Sequence, residues 1–442
     1  MSPETIALVV GIAVAGYMAW NIGANDVANA MGTSVGSGAL TLSMAVVLAG
    51  VFEFAGAVLV GSSVTETVRK GILDVTLFQS GAVGFDADPA MILLLGMVSA
   101  LLSAGVWLQI ATAFGLPVST THSIIGALIG FGLVAVGSAA VNWETVGQVA
   151  ASWVVSPLLG GGIAAAMFVL VRRLVLRTED PEAATRRVTP HLAALVVFLL
   201  VVSFVYKVLG NVLEAPPWWM TVVTAAAVAG LGFLVSRVLI YRGVRRAEGN
   251  TGSAQISLWH RIPGVGSAPA ASFGYVERVF GRLQVVTACY VAFAHGANDV
   301  ANAAGPVAAV VQIHDTGALV AEVPVPPWIL MLTAAGIVLG LATWGYKVIR
   351  TVGSALTELT PTRGFSAEFG AATTVLIASL LGMPVSTTHT LVGAVLGVGL
   401  ARGIAALDLR MAWRVVQSWI VTLPVAAAFA GLFYLGLEAL LL

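Results

Sequence analysis

Apolar runs of about 20 residues follow one another along the chain, separated by short breaks rich in Gly, Pro or charge. A helix of that length crosses roughly 30 Å of hydrocarbon. A spanning segment must satisfy its own backbone amides, which selects helix over open strand. The apolar–polar alternation of a membrane barrel does not occur. The pattern therefore predicts an all-α polytopic membrane protein. Its spans fall near 5–22, 40–62, 89–111, 122–140, 146–171, 191–210, 219–240, 283–303, 327–349, 367–381, 388–401 and 413–440. The tenth and eleventh are short and flank a polar motif, which marks them as broken or re-entrant half-helices.

Composition agrees with this reading. The 442 residues are 58% hydrophobic and 10% charged, with mean hydropathy +0.96, whereas soluble domains carry about 25% charged residues. Zero net charge argues against a nucleic-acid partner. A single cysteine, Cys289, excludes an internal disulfide and a thiolate metal cage, and suits a small buried apolar position. Met-Ser-Pro-Glu-Thr at the start lacks the basic region of a secretory signal, so residues 5–22 are expected to stay as a first helix.

Two polar motifs interrupt the apolar pattern, and each occurs twice. GANDVANA stands at 23–30 and again at 296–303. GLPVSTTHSIIGALIG at 115–130 matches GMPVSTTHTLVGAVLG at 382–397 at ten of sixteen positions. A weaker echo pairs GSSVTE at 61–66 with GSALTE at 353–358. The common order points to an internal duplication: a first repeat over 1–171, connecting helices over 172–240, a linker over 241–282 and a second repeat over 283–442. Seven crossings separate the octets, an odd number, so the repeats are expected to be inverted in the membrane. Arg172, Arg173, Arg177, Arg186 and Arg187 follow span five. Arg242, Arg245, Arg246, Arg261, Arg278 and Arg282 follow span seven. Cytoplasmic loops collect such residues, which places both loops inside and both termini outside; Arg69 and Lys70 run against the rule.

In a helix Asn25, Asp26 and Asn29 fall within an arc of about 100°, as do Asn298, Asp299 and Asn302. A carboxylate beside two carboxamides is a set of hard oxygen ligands suited to a small cation, and Gly23 and Gly296 stand where a helix could unwind. The purely structural alternative is that the asparagines bridge helices while Ala and Gly permit close packing. PVSTTH reads as a helix start: Pro117 and Pro384 cannot continue a helix, and Ser or Thr is a preferred N-cap. Ser119, Thr120 and Thr121, with Ser386, Thr387 and Thr388, therefore open helices whose free N–H groups suit an oxyanion. Capping alone is the simpler reading of one copy. Broken helices at matching positions of two inverted halves point instead to a transporter's central site.

Charge then suggests a mechanism. Neither motif contains Lys or Arg, so a divalent anion near Asp26 and Asp299 would be repelled unless cations at the aspartates reversed the local field. Cation-coupled transport follows. His122 and His389 are expected to support the site by hydrogen bonds within their own helices rather than to bind metal or relay protons. Glu53 is a weaker proton-site candidate, and Glu66 and Glu358 lie near span ends.

The doubled GANDVANA and PVSTTH resemble the signature of the inorganic phosphate transporter (PiT) family, in its shorter microbial form, over nearly the whole chain. The resemblance implies symport of inorganic phosphate with Na⁺ or H⁺ and no organic cofactor. It also implies a homodimer in the cell membrane. Carried over by position, the Ser-Thr-Thr triplets would contact phosphate, and the Asn and Asp of each octet would hold the coupling cation, sodium at Asp26 and Asp299. A sulfate permease of the same family is the alternative substrate reading. A cation exchanger leaves the Ser-Thr-Thr starts without a purpose. An intramembrane hydrolase built on His122 and His389 would need a nucleophile and an asymmetric site, so no enzymatic activity is expected.

Overall fold

The computed structural model describes residues 2–78, 88–206, 217–248, 274–317, 325–349, 360–403 and 409–442. Among them the chain is helical throughout, with one isolated bridge between Leu73 and Val141. The helices are α1 Pro3–Gly36, α2 Leu42–Val60, α3 Ser62–Lys70, α4 Pro89–Ala113, α5 Thr120–Ala135, α6 Trp143–Val171 and α7 Pro181–Phe204. They continue with α8 Trp218–Glu248, α9 Gly274–Asp299, α10 Ala301–Thr316, α11 Pro327–Thr343, α12 Pro361–Leu380, α13 Thr387–Arg402 and α14 Leu409–Leu441. Seven of the described helices are long and apolar enough to cross a membrane, and α5 and α11 are shorter apolar helices. Side chains on α8, from Trp218 and Trp219 to Leu234 and Val238, stand exposed, as a lipid-facing helix requires.

Several boundaries differ from the sequence reading. The first helix does not stop at residue 22 but runs unbroken to Gly36, so the octet lies within a helix. Helix α12 spans 20 residues rather than forming a half-helix; the short members are α5 and α13, with 16 residues each. At 1.5 Å per residue these two reach about 24 Å, less than the hydrocarbon thickness. The charged stretch 172–190 is a π turn over Arg172–Leu176 and then the first turns of α7, N-capped by Asp180. Likewise α8 continues to Glu248 and α9 starts at Gly274, so both edges of the expected linker are helix. Its middle, with Arg261, lies outside the described residues, as do Glu358 and the 353–358 half of the third sequence echo.

The helix contacts come in pairs that match the sequence duplication. Helix α1 packs on α4 and α11; its counterpart α9 packs on α12 and α2. Helix α5 packs on α14, and α13 on α6. Glycines set the closest approaches. A Cβ on Gly23 would sit 1.9 Å from the Ile337 carbonyl oxygen, and one on Gly340 would sit 1.8 Å from that of Trp20. Across the pair α9–α2, Gly296 would meet the Glu53 oxygen at 2.0 Å and Gly56 that of Phe293 at 2.0 Å. The octet glycines therefore serve close helix packing of the small-residue kind, not unwinding. A Cβ on Gly61 would sit 2.4 Å from the Val300 side chain, and one on Gly345 would sit 2.3 Å from that of Val27. Packing thus makes Gly345 the counterpart of Gly61, eight positions before the GSALTE echo.

Candidate functional site

Each PVSTTH segment is built by local chemistry visible in its letters. In the first, α4 ends in a turn where Gly115 takes φ +67°, and the N–H of Leu116 donates back to the Ala111 carbonyl at 2.9 Å. The second repeats it with Gly382 at φ +69° and Met383 donating to Ala378 at 2.9 Å. This is the glycine-terminated helix end that satisfies orphan carbonyls. Proline then forbids helix for one step, and serine restarts it: Ser119 Oγ accepts from the His122 N–H and Ser386 Oγ from the His389 N–H, each at 3.2 Å. The two serines are N-caps. Each cap hydroxyl accepts through oxygen and so keeps its own proton for another acceptor.

The octet asparagines tie these turns down. Asn25 Nδ2 donates to Thr112 at 2.8 Å and to the Leu116 carbonyl at 3.1 Å, while its Oδ1 accepts from the Val118 N–H at 3.2 Å. Asn298 does the same with Ser379 at 3.0 Å, Met383 at 3.2 Å and the Val385 N–H at 3.3 Å. All three hydrogen-bonding groups of each amide side chain are thus occupied. Asn25 and Asn298 therefore brace the turns, and each Oδ1 keeps a second lone pair beyond its backbone bond.

The next residues reach across the two halves. Asn29 Nδ2 donates to Asp26 Oδ1 at 3.0 Å and to Thr388 at 2.8 Å, and Asn302 Nδ2 donates to Thr120 at 3.2 Å. Thr387 donates to Asp299 Oδ2 at 2.8 Å. Thr121 donates to the Val385 carbonyl at 3.0 Å, and Thr388 reaches Val118 at 3.3 Å, the reciprocal exchange expected across a local two-fold axis. Both octets and both helix starts therefore form one buried cluster. Asn25, Asp26, Asn29, Ser119, Thr120, Thr121 and their counterparts are each at most 6% exposed.

Buried polar groups in proteins are almost always paired, so the exceptions here are informative. Asp26 Oδ2, Asp299 Oδ1 and Asn302 Oδ1 have no hydrogen-bond partner. Asp26, His295 and Asp299 bring ligand atoms within 4.8 Å of one another, a spacing that could hold a metal ion. Unsatisfied carboxylate and amide oxygens of this kind are what a small hard cation takes.

His122 and His389 meet at the centre, with ring centroids 4.4 Å apart, and each lies against a tryptophan: Trp153 at 3.8 Å and Trp419 at 3.5 Å. Neither His122 ring nitrogen has a hydrogen-bond partner among the described residues, and His389 Nδ1 faces the Trp153 carbonyl at 3.4 Å. The expected hydrogen bonds from these rings into their own helices are absent there. Their role in the geometry is packing between the two helix starts.

Two ionisable residues were missed as site candidates. His295 directly precedes the second octet and stands 2.9 Å from Asp299 Oδ2, 3.2 Å from Glu53 Oε1 and 3.8 Å from Asp26 Oδ2. Glu368 on α12 is fully buried and accepts from Thr33 and Ser34 at 2.6 Å, Thr287 at 2.6 Å and Gln284 at 3.0 Å. An ionisable side chain inside a span is a functional candidate by default, and that rule alone would have flagged both. They escaped because neither belongs to a duplicated motif.

Comparison with known proteins identifies the family. The model of the phosphate transporter family matches residues 22–430. A Pyrococcus furiosus protein named as a candidate phosphate permease is 45% identical over 436 residues, covering 98% of this chain and 97% of the relative. The chloroplastic inorganic phosphate transporter 2-1 of Arabidopsis thaliana is 44% identical over 422 residues, 94% of this chain and 70% of the plant protein. Among solved structures, one described as the sodium-dependent phosphate transporter is 41% identical with TM-score 0.84, covering 98% of this chain and 99% of that one. This multi-pass membrane protein, whose two octets and two Ser-Thr-Thr helix starts meet in one buried cluster, belongs to the phosphate transporter family.

Proposed function

We propose that the chain is a sodium-coupled symporter that carries inorganic phosphate by alternating access of two inverted repeats about the shared cluster. The observation that supports it most is the set of partnerless buried oxygens on Asp26, Asp299 and Asn302 beside two helix N-termini. The oxygens offer cation ligands, and the capped starts of α5 and α13 offer N–H groups and hydroxyls to a tetrahedral anion. Of the six hydroxyls, those of Ser119 and Ser386 engage as N-cap acceptors and keep a proton to donate to phosphate. Thr121, Thr387 and Thr388 donate to protein oxygens, so they would turn to the anion only once cations relieve the aspartates.

Coupling follows from the order of charges. A doubly charged phosphate beside two carboxylates in a dry site is repelled by several kcal/mol. Sodium at Asp26 and Asp299 would cancel the two carboxylate charges first, and the anion would then bind without that repulsion before the loaded site crosses. The solved relative described as sodium-dependent favours sodium over the proton. The cell membrane, external termini and a homodimer complete the proposal. Labelled phosphate uptake into proteoliposomes, with sodium and proton gradients imposed separately and sulfate as competitor, tests it. Uptake should follow the sodium gradient and resist sulfate; uptake indifferent to every cation gradient would remove the symport reading.

A further inference from the structure

The two halves match closely at the cluster except beside one aspartate. Asp26 is preceded one turn earlier by Ile22, whereas Asp299 is preceded by His295. The facing helices carry the same difference. Gly23 lies against Ile337 of α11 and Gly296 against Glu53 of α2, so Ile337 and Glu53 hold matching places. An apolar pair in one half is a His–Glu pair in the other.

This substitution rearranges the ligands around each carboxylate. In the first half Asp26 is held by Asn29, which donates to Oδ1 at 3.0 Å. In the second half His295 Nε2 lies 2.9 Å from Asp299 Oδ2 and 3.8 Å from Asp26 Oδ2, with Nδ1 at 3.2 Å from Glu53 Oε1. Asn302, the counterpart of Asn29, makes no bond to its own aspartate. Its amide turns to Thr120 and its Oδ1 is left without a partner at 1% exposure. Pro306 adds to this, since it has no N–H to donate to the Asn302 carbonyl one turn back, where the first half has Thr33. The second half therefore offers an unpartnered oxygen on both Asp299 and Asn302, against one on Asp26.

We infer that the two cation positions are unequal: His295, braced by Glu53, is a positioning residue that preorganises the second octet as the site sodium fills first. A cation there meets buried oxygens on both Asp299 and Asn302 that no donor occupies, whereas at Asp26 the amide of Asn29 occupies Oδ1 and only Oδ2 is open. Preorganised ligands bind more tightly because less ordering is left to do on binding. The inference rests on the sodium-symport reading and refines it.

The test is binding of ²²Na⁺ to purified protein without phosphate, by scintillation proximity. Asp299→Asn should weaken sodium binding about tenfold or more, and Asp26→Asn clearly less than that. In the Asp26→Asn background, His295→Ile should weaken binding about tenfold, and His295→Gln, whose amide can still donate to a carboxylate one turn on, should recover most of it. In the Asp299→Asn background His295→Ile should matter less than about threefold. Glutamine rescue separates positioning from a folding defect, since both variants lose the imidazole. Equal losses from the two aspartate variants, equal effects of His295→Ile in both backgrounds, or a parent that carries phosphate yet binds no sodium would overturn the inference. Sodium binding without sodium-driven phosphate uptake would instead count against the symport reading alone.

Discussion

Asn25 and Asn298 show how one residue type divides its work according to its neighbours. Each ties down the turn before α5 or α13, so replacement by Ala leaves a buried backbone N–H, a part-buried carbonyl and a hydroxyl without that partner. Each orphaned group costs about 1–3 kcal/mol. Asn25→Ala should therefore lower the melting temperature of detergent-purified protein and reduce phosphate uptake in proportion to lost folded protein. Asp26→Asn is expected to behave in the opposite way, with normal folding and no coupled uptake. Normal uptake by that variant would remove Asp26 from the cation site. Glu368 belongs with the braces: it gathers Thr33 and Ser34 of α1 with Gln284 and Thr287 of α9, so it joins the two halves. Glu368→Leu strands four buried donors and should sharply lower folded yield, read by fluorescence-detected size exclusion.

At the scale of the helix, the octet glycines matter through contact. Gly23→Ala puts a methyl 1.9 Å from a backbone carbonyl on α11, whereas Gly16→Ala on the same helix meets nothing within 4 Å. Overpacking against backbone costs about 1–3 kcal/mol or more, so Gly23→Ala should destabilise the protein, while Gly16→Ala should leave the melting curve near that of the parent. If both variants melt alike, the close α1–α11 crossing is not what the glycine is for. The same crossing explains why GANDVANA sits in an intact first helix. Its polar groups find partners in the neighbouring turn and the other half, so the backbone has no need to open there. The second copy departs from regular helix only at Val300, between α9 and α10, with Pro306 six residues beyond.

For the whole molecule, the reciprocal contacts bind the two repeats to each other as much as to themselves, which fits a single site shared between halves rather than two sites side by side. The proposed inversion has a consequence for topology. Cysteines placed at Ser2 and Leu442 in a Cys289→Ala background should react with an impermeant maleimide from outside, and one at Glu182 only after permeabilisation. Labelling of Glu182 from outside would reverse the assignment.

Hydropathy alone determined the helical membrane class, because a lipid-embedded backbone has no alternative that satisfies its amides without closing a barrel. The duplicated letters likewise disclosed the glycine turn, proline break and serine cap of each helix start, since those devices are local. Partner choice across the bundle was not local. That Asn25 and Asn298 brace the helix starts, that Gly23 and Gly296 seat helices, that the His122 and His389 rings pack against tryptophans, and that His295 meets Glu53 and Asp299 all depend on residues up to hundreds of positions apart. Periodicity reports which face of a helix is buried but not what it is buried against. Only the tertiary structure decided which polar groups pair with each other and which oxygens were left for an ion.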